Sequence, residues 1–344
     1  MLLSRLMRWS ALGLVLCAPS GPRALDVARR CELQALALQS PPHFPALGDA
    51  ARHRSSELGR ALGRRLFFDP RLSRDGQVAC ASCHEPRYAF SNPESLATRG
   101  VTGRAGLRHT PSLLNVAWAE TGLFWDGGAK NLESQALAPL LHADELGRKE
   151  TLPELLATLQ ADPQYVACFA AVFEPPALTL GHVMQVLAQY ERSLVVADAR
   201  WDLARLGFLS LEPAERRGED VFARECARCH PPPLFTDHDF HNNGLDGAFP
   251  AHSSDERRGR ARISRRPQDL GKYKTPSLRR VFDSAPYMHD GRFWSVAQVI
   301  EHYRHGIRPS DTLDAGLVQA TGELGVRLDA GEVADLTAFL NALR

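Results

Sequence analysis

Two copies of Cys-x-x-Cys-His constrain this chain more than any other feature: Cys80-Ala81-Ser82-Cys83-His84 and Cys226-Ala227-Arg228-Cys229-His230. Each pairs two thiols at the spacing of a c-type haem attachment motif with an imidazole placed to reach the iron from one face. A structural zinc site is the alternative for two Cys-x-x-Cys pairs, but zinc is redox-inert and needs no histidine after the second cysteine of both. The chain therefore reads as built around two covalently bound haem c groups. Cys80, Cys83, Cys226 and Cys229 are the attachment points, and His84 and His230 the axial ligands. What sits on the far face of each iron decides the chemistry.

Residues 1–24 read as an export signal. Arg5 and Arg8 precede an apolar stretch from Ala11 to Leu16, and Ala24 offers a small residue for cleavage, so a periplasmic location is expected. Leu16 rather than a small residue precedes Cys17, which argues against a lipid anchor, and no apolar run is long enough to span a bilayer. In an oxidising compartment Cys31 and Cys168 are free to pair, which would tie the N-terminal extension to the first domain; spacing alone leaves that open. The formal charge of +1 gives no electrostatic case for nucleic acid. Six arginines between Glu256 and Arg266 read as a solvated loop, with docking of an acidic partner as the functional alternative.

The motifs lie 146 positions apart and are flanked by matching blocks in the same order, one pair before the motifs and two after. Gly63-Arg64-Arg65-Leu66-Phe67 corresponds to Gly218-Glu219-Asp220-Val221-Phe222, and Thr110-Pro111-Ser112-Leu113 to Thr275-Pro276-Ser277-Leu278. Phe124-Trp125-Asp126-Gly127 then corresponds to Met288-His289-Asp290-Gly291. The expected fold is mainly α: two cytochrome c-like haem domains related by an internal duplication. The predicted boundaries are an extension at 25–50, a first domain at 51–205 and a second at 206–344. Ser56 is placed to cap a helix carrying Leu58, Leu62 and Leu66, and Thr151 with Glu154 reads as a capping box. Further apolar stripes predict helices over 178–193 and 332–343, while 231–233 and 242–250 read as loops.

The two halves then part company. Thirteen positions beyond Asp126 stands Pro139, and thirteen beyond Asp290 stands Tyr303. Proline has no atom to offer iron, whereas a tyrosinate ligates haem iron. One centre is thus expected to be open on its far side and the other closed by Tyr303, with a buried, hydrogen-bonded tyrosine as the plainer reading.

These residues in this order resemble the bacterial di-haem cytochrome c peroxidases and their MauG and MbnH relatives, over roughly residue 56 to the C-terminus. Tyr303 stands where ordinary peroxidases of the family carry a methionine and MauG-type enzymes a tyrosine. Val101 stands where the peroxidases tend to carry a histidine that caps the first haem. The resemblance assigns Trp125 as the electron relay between haems, and Glu145, Gln135 and Pro139 as the distal pocket of the first. A partly desolvated glutamate there suits proton transfer to and from peroxide. It also implies calcium between the domains, with His109 and the carbonyls of Ser284 and Pro286 at the corresponding positions, although imidazole suits a hard cation poorly.

The function implied is a periplasmic MauG-type peroxidase in which hydrogen peroxide generates a high-valent di-haem state that oxidises aromatic residues of a partner protein. The alternatives are a conventional peroxidase drawing electrons from a small redox-protein donor, and a non-enzymatic di-haem electron carrier using Met288 or His289 as the second ligand.

Overall fold

The computed structural model describes residues 31, 33–48, 55–94, 100–249, 251 and 256–344; the export segment and Cys17 lie outside the described residues. The chain is mainly helical. The first half carries α1 (Glu57–Phe67), α2 (Cys80–Cys83), α3 (Leu132–Leu141), α4 (Leu152–Gln160), α5 (Pro163–Val172) and α6 (Leu180–Arg192). The second carries α7 (Arg200–Arg205), α8 (Pro213–Glu225), α9 (Ala261–Ser264), α10 (Val296–Glu301) and α11 (Ala330–Asn341). Among the described residues the one sheet is a two-residue antiparallel pairing of β1 (Phe240–His241) with β2 (Tyr273–Lys274). Among them, too, no helix is long and apolar enough to cross a membrane.

Each half is organised around one close helix crossing. Ser56 caps α1 by accepting from the Gly59 N–H at 3.0 Å. The helix then buries Leu62, Leu66 and Phe67 in a core shared with Val183, Val186 and Leu187 of α6. Gly63 is what lets α1 and α6 touch, since a Cβ there would sit 1.8 Å from the Val186 carbonyl oxygen. The second half repeats the device between α8 and α11, where a Cβ on Gly218 would sit 1.9 Å from the Asp335 carbonyl oxygen. Val221, Phe222, Leu336, Phe339 and Leu340 fill the core around that crossing.

Two sequence expectations change and a third is extended. The Thr151 capping box does not form: Thr151 adopts φ −118°, ψ 21° rather than the extended conformation of an N-cap, and its buried Oγ1 has no hydrogen-bond partner. Helix α7, assigned by sequence to the end of the first domain, packs into the second core through Trp201, and Asp202 forms a bidentate pair with Arg279 at 2.6 and 2.7 Å, both side chains fully buried. The extension does more than join the first half. Cys31 pairs with Cys168, yet Trp118 Nε1 donates to the Pro45 carbonyl, His43 Nε2 meets Asp202 at 2.7 Å, and Phe44 packs with Trp118 and Leu234, so the segment bridges both halves.

Gly63→Ala and Gly218→Ala set helix propensity against sterics. Propensity favours alanine by up to about 1 kcal/mol, whereas a Cβ driven into a backbone carbonyl costs about 1–3 kcal/mol or more. Urea unfolding is expected to show both variants destabilised, and Gly181→Ala, where only Thr179 Oγ1 lies near at 3.8 Å, neutral or stabilised.

Candidate haem centres and the contact between the halves

Both Cys-x-x-Cys-His runs end in the same local geometry. His84 N donates to Cys80 O at 2.9 Å, and His230 N to Cys226 O at 3.0 Å. Each imidazole Nδ1 then meets a carbonyl, that of Phe90 at 2.9 Å or of Phe235 at 3.0 Å. A carbonyl only accepts, so Nδ1 carries the proton and Nε2 keeps its lone pair for a metal. Phe90 and Phe235 take the left-handed conformation, φ 56° and 55°. The serines of the two Thr-Pro-Ser blocks brace these turns: Ser112 Oγ donates to Ala89 O at 2.5 Å and Ser277 Oγ to Leu234 O at 2.6 Å. Burial lowers His84 to about 4 and lowers His230 as well, which keeps both imidazoles neutral. Burial pushes the thiols of Cys80 and Cys226 up to about 12 and that of Cys229 to about 11, and the four motif cysteines form no disulfide.

The Asp-Gly loops match too. Leu123 N donates to Ala129 O and Tyr287 N to Phe293 O, both at 2.7 Å, and Phe124 and Met288 share positive φ of 63° and 73°. Helices α3 and α10 follow, capped by Asn131 and Ser295, and Pro139 and Tyr303 each lie eight positions after their cap. Helix α3 continues past Pro139, whereas α10 ends at Glu301 and Tyr303 sits in a π-turn, His302–Gly306. Proline at 139 removes the N–H that would bond the Gln135 carbonyl one turn earlier. Gln135 Oε1 is itself buried without a partner.

A cavity of about 290 Å³ runs between the halves, lined by Gln135, Trp125 and His109 from the first and by Met288, Tyr303 and Leu336 from the second. His238, whose buried Nε2 has no partner, lines it as well. Neutral imidazoles with Nε2 unprotonated, each beside a Cys-x-x-Cys pair outside any disulfide, make a donor set that suits haem c. Asn243 Nδ2 lies 3.5 Å from both Tyr303 Oη and Met288 Sδ. Desolvation pushes the Tyr303 phenol up to about 12.

Glu145 is half-exposed, 3.7 Å from His142 Nδ1, and its charge reaches Cys80. Its carbonyl accepts from Val101 N at 2.9 Å, so these two positions do adjoin, and the Val101 side chain packs on the first core. Neither Glu145 nor Pro139 lines the cavity that holds Gln135.

Trp125 is buried at the contact between halves. Its indole N–H donates to His109 O at 2.7 Å, its carbonyl accepts from Lys274 N at 2.8 Å, and His109 N donates to His289 O at 2.7 Å. Beside it Asp126, fully buried, is held by Arg108 at 2.9 Å and Arg262 at 2.5 Å. Burial works against its charge, yet the two guanidinium groups hold the carboxyl below the usual range. Arg260 Nη1 adds bonds to the carbonyls of Asp126 and Gly127, and Lys274 Nζ to that of Gly122. The arginine run is thus no solvated loop throughout: Arg260 and Arg262 turn inward onto the first half. Sequence reasoning missed this cluster, although the aspartate inside Phe-Trp-Asp-Gly was a signal that a buried anion needed partners.

The calcium residues do not fit that ion. The His109 imidazole is committed to Ser91 Oγ at 3.0 Å and Glu94 O at 3.3 Å, and its carbonyl to Trp125. No side-chain oxygen takes the place of a hard ligand at this position. Ser284 and Pro286 line the same cavity as His109. A second cluster, Cys229, Asp237 and His241, has metal-like spacing. However, His241 is bonded at Nε2 to Asp237 (2.9 Å) and at Nδ1 to Asp314 (2.6 Å), which makes it an imidazolium rather than a ligand.

Two motif-bearing halves with one histidine-orienting loop in each, in a mainly helical chain, define a two-centre cytochrome c-like protein. A family profile described as di-haem cytochrome c peroxidase matches residues 57–207. The methylamine utilization protein MauG of Methylorubrum extorquens is 37% identical over 297 residues, 83% of this chain and 77% of that protein. Cytochrome-c peroxidase IdrP1 of Pseudomonas sp. is 32% identical over 314 residues, 82% of this chain and 80% of that one. The crystal structure of a MauG-like protein associated with microbial copper homeostasis superposes with a TM-score of 0.78 at 32% identity, covering 90% of this chain and 95% of that chain. The chain belongs to the di-haem cytochrome c peroxidase family, which includes MauG, and is an oxidoreductase. Membership implies haem c cofactors and peroxide chemistry; MauG and peroxidase names both occur among the relatives.

The hydrogen bond from Asp237 raises His241 to about 9 against the opposing effect of burial, with Asp314 assisting. A histidine raised from about 6.5 stabilises the fold fully below that pH and loses the contribution as pH climbs through about 9. The unfolding free energy from urea titrations is expected to fall by an amount on the order of 3 kcal/mol between pH 6 and 10; His241→Gln should flatten that part of the profile.

Proposed function

We propose that the chain is a MauG-type peroxidase of the periplasm, carrying one haem c on Cys80 and Cys83 with His84 as ligand, and a second on Cys226 and Cys229 with His230 and Tyr303. When bound, haem supplies an iron at which peroxide is reduced and from which oxidising equivalents are passed on. The chain's own residues do the rest. The Phe90 and Phe235 carbonyls hold His84 and His230 in the tautomer that ligates through Nε2. Pro139 offers no atom that could bind a metal, Gln135 presents an amide, and Glu145 would accept a proton from peroxide and give it back. Trp125, pinned through its N–H and its carbonyl to opposite halves, offers an aromatic bridge between the centres.

The observation that carries this reading is the single cavity lined by Gln135, Trp125 and Tyr303. A phenol this hard to ionise would exist as phenolate only against a strong Lewis acid, which suits an iron ligand. The Cys31–Cys168 disulfide favours an oxidising compartment. The substrate in this reading is a partner protein whose tryptophan or tyrosine side chains give up electrons over a distance.

One observation favours a second assignment. Met288 Sδ lies as near Asn243 Nδ2 as Tyr303 Oη does, so a sulfur-ligated second centre, as in an electron carrier or a conventional peroxidase, competes with the phenolate.

Paramagnetic resonance of the ferric protein separates the two. Tyr303→Phe is expected to change the low-spin signal and leave the high-spin one, whereas Met288→Leu should leave both; the reverse result assigns the sulfur. With reduced cytochrome c as donor, steady-state peroxide turnover is expected to be at least about tenfold slower than a typical enzyme rate of about 10 s⁻¹. Fast turnover would restore the conventional peroxidase.

A further inference from the structure

Glu191, near the end of α6, is 4% exposed, and its Oε2 is buried without a hydrogen-bond partner. At Oε2 an ionised carboxylate lacks both water and a hydrogen-bond donor, so with no positive charge at the adjacent centre the neutral acid is the favoured form, and a positively charged centre would favour the carboxylate. The neighbouring cation does not rescue it. Arg192 gives its bonds to Glu133 on α3, at 2.9 and 3.1 Å. Burial, assisted by the facing Glu133 and opposed by Arg192, raises Glu191 to about 8.

The other side of α6 packs on α1, and the ionisable groups there are occupied elsewhere. Arg60 bonds Leu36 O and Ser55 Oγ, Arg64 lies over the Phe68 ring, Arg65 reaches Asp162 and the Tyr165 ring, and Glu57 is exposed at the first turn. Toward the first motif, Glu191 is the strongest charge acting on the Cys80 thiol, ahead of Cys83 and Glu145. On α3, the helix packed against α6, the Gln135 amide oxygen is likewise buried and unpartnered. Two orphaned oxygens therefore stand on helices packed against each other, that of Glu191 acting on Cys80, and the proton on Glu191 belongs to neither the histidine loop nor the family-derived distal set.

We propose that Glu191 is a proton-holding residue of the first haem centre, taking up one proton when that centre gains an electron and releasing it when the electron leaves. The inference rests on the assignment of a haem to Cys80 and Cys83. On reduction, one electron arrives from the donor and one O–H bond forms on the Glu191 carboxylate; on oxidation both depart. Glu145, half-exposed and acting on the same thiol, offers the acceptor on the solvent side. Holding a proton there keeps the buried site from accumulating net charge as the centre changes oxidation state.

The test is a spectroelectrochemical titration of the two-haem protein between pH 6 and 9, with dithionite and ferricyanide as titrants. The first centre's redox equilibrium constant is expected to fall tenfold per pH unit over part of this range, about 59 mV per unit, and Glu191→Gln should remove that slope. A first centre indifferent to pH, or a slope that survives Glu191→Gln, overturns the inference. Should the variant not fold, redox-difference infrared spectroscopy of the unsubstituted protein decides: a protonated-carboxyl band gained on reduction supports the proposal, and its absence refutes it. A protein whose mass shows a single haem overturns the haem assignment and this inference with it, whereas a pH-independent potential in a two-haem protein overturns the inference alone.

Discussion

The buried carboxylate of Asp126 is the interaction on which the joining of the halves depends. Arg108 comes from its own half and Arg262 from the other, and with Arg260 and Lys274 capping the carbonyls of Asp126, Gly127 and Gly122, the loop that carries Trp125 is held by cations on several sides. Such a cluster is not a net source of large stability, because taking the charges out of water consumes most of their attraction. Breaking it by removing one partner, by contrast, costs about 3–5 kcal/mol. Its value lies in position. The bonds of Trp125 to His109 O and from Lys274 N fix its ring relative to both halves across the contact.

Several local devices recur in the two halves. The histidine loop, the bracing serine, the glycine crossing and the Asp-Gly turn recur with distances that agree to within about 0.1 Å. The differences include Pro139 in a continuous α3 against Tyr303 in a π-turn, and Trp125 against His289. Departures from regular helix geometry concentrate at functional positions in proteins generally, because they re-aim one side chain at the cost of local hydrogen bonding.

Much of this was legible in advance, for a physical reason. Helix caps and crossings are local, so Ser56 and the α1, α6 and α11 stripes announced themselves through spacing alone. The attachment motifs are local too. Thr151 misled because a Thr-x-x-Glu pattern specifies a capping box only if the first residue is extended, and backbone context decided otherwise. The arginine run misled for a different reason. Charge density along the chain says nothing about which members find a buried anion, and the anion lies more than 130 positions away in sequence.

Short-range structure was thus written in the order of residues: the paired thiols with their histidine loops, the matched blocks, and the helix caps. Tertiary structure alone decided the long-range pairings. It brought Cys31 to Cys168, Asp202 to Arg279, Asp126 to Arg262, and left Glu191 Oε2 buried without a hydrogen-bond partner. The physical reason is that burial and partnership are properties of packed volume. A carboxylate's neighbours, and hence its charge, exist only once helices distant in sequence have closed around it.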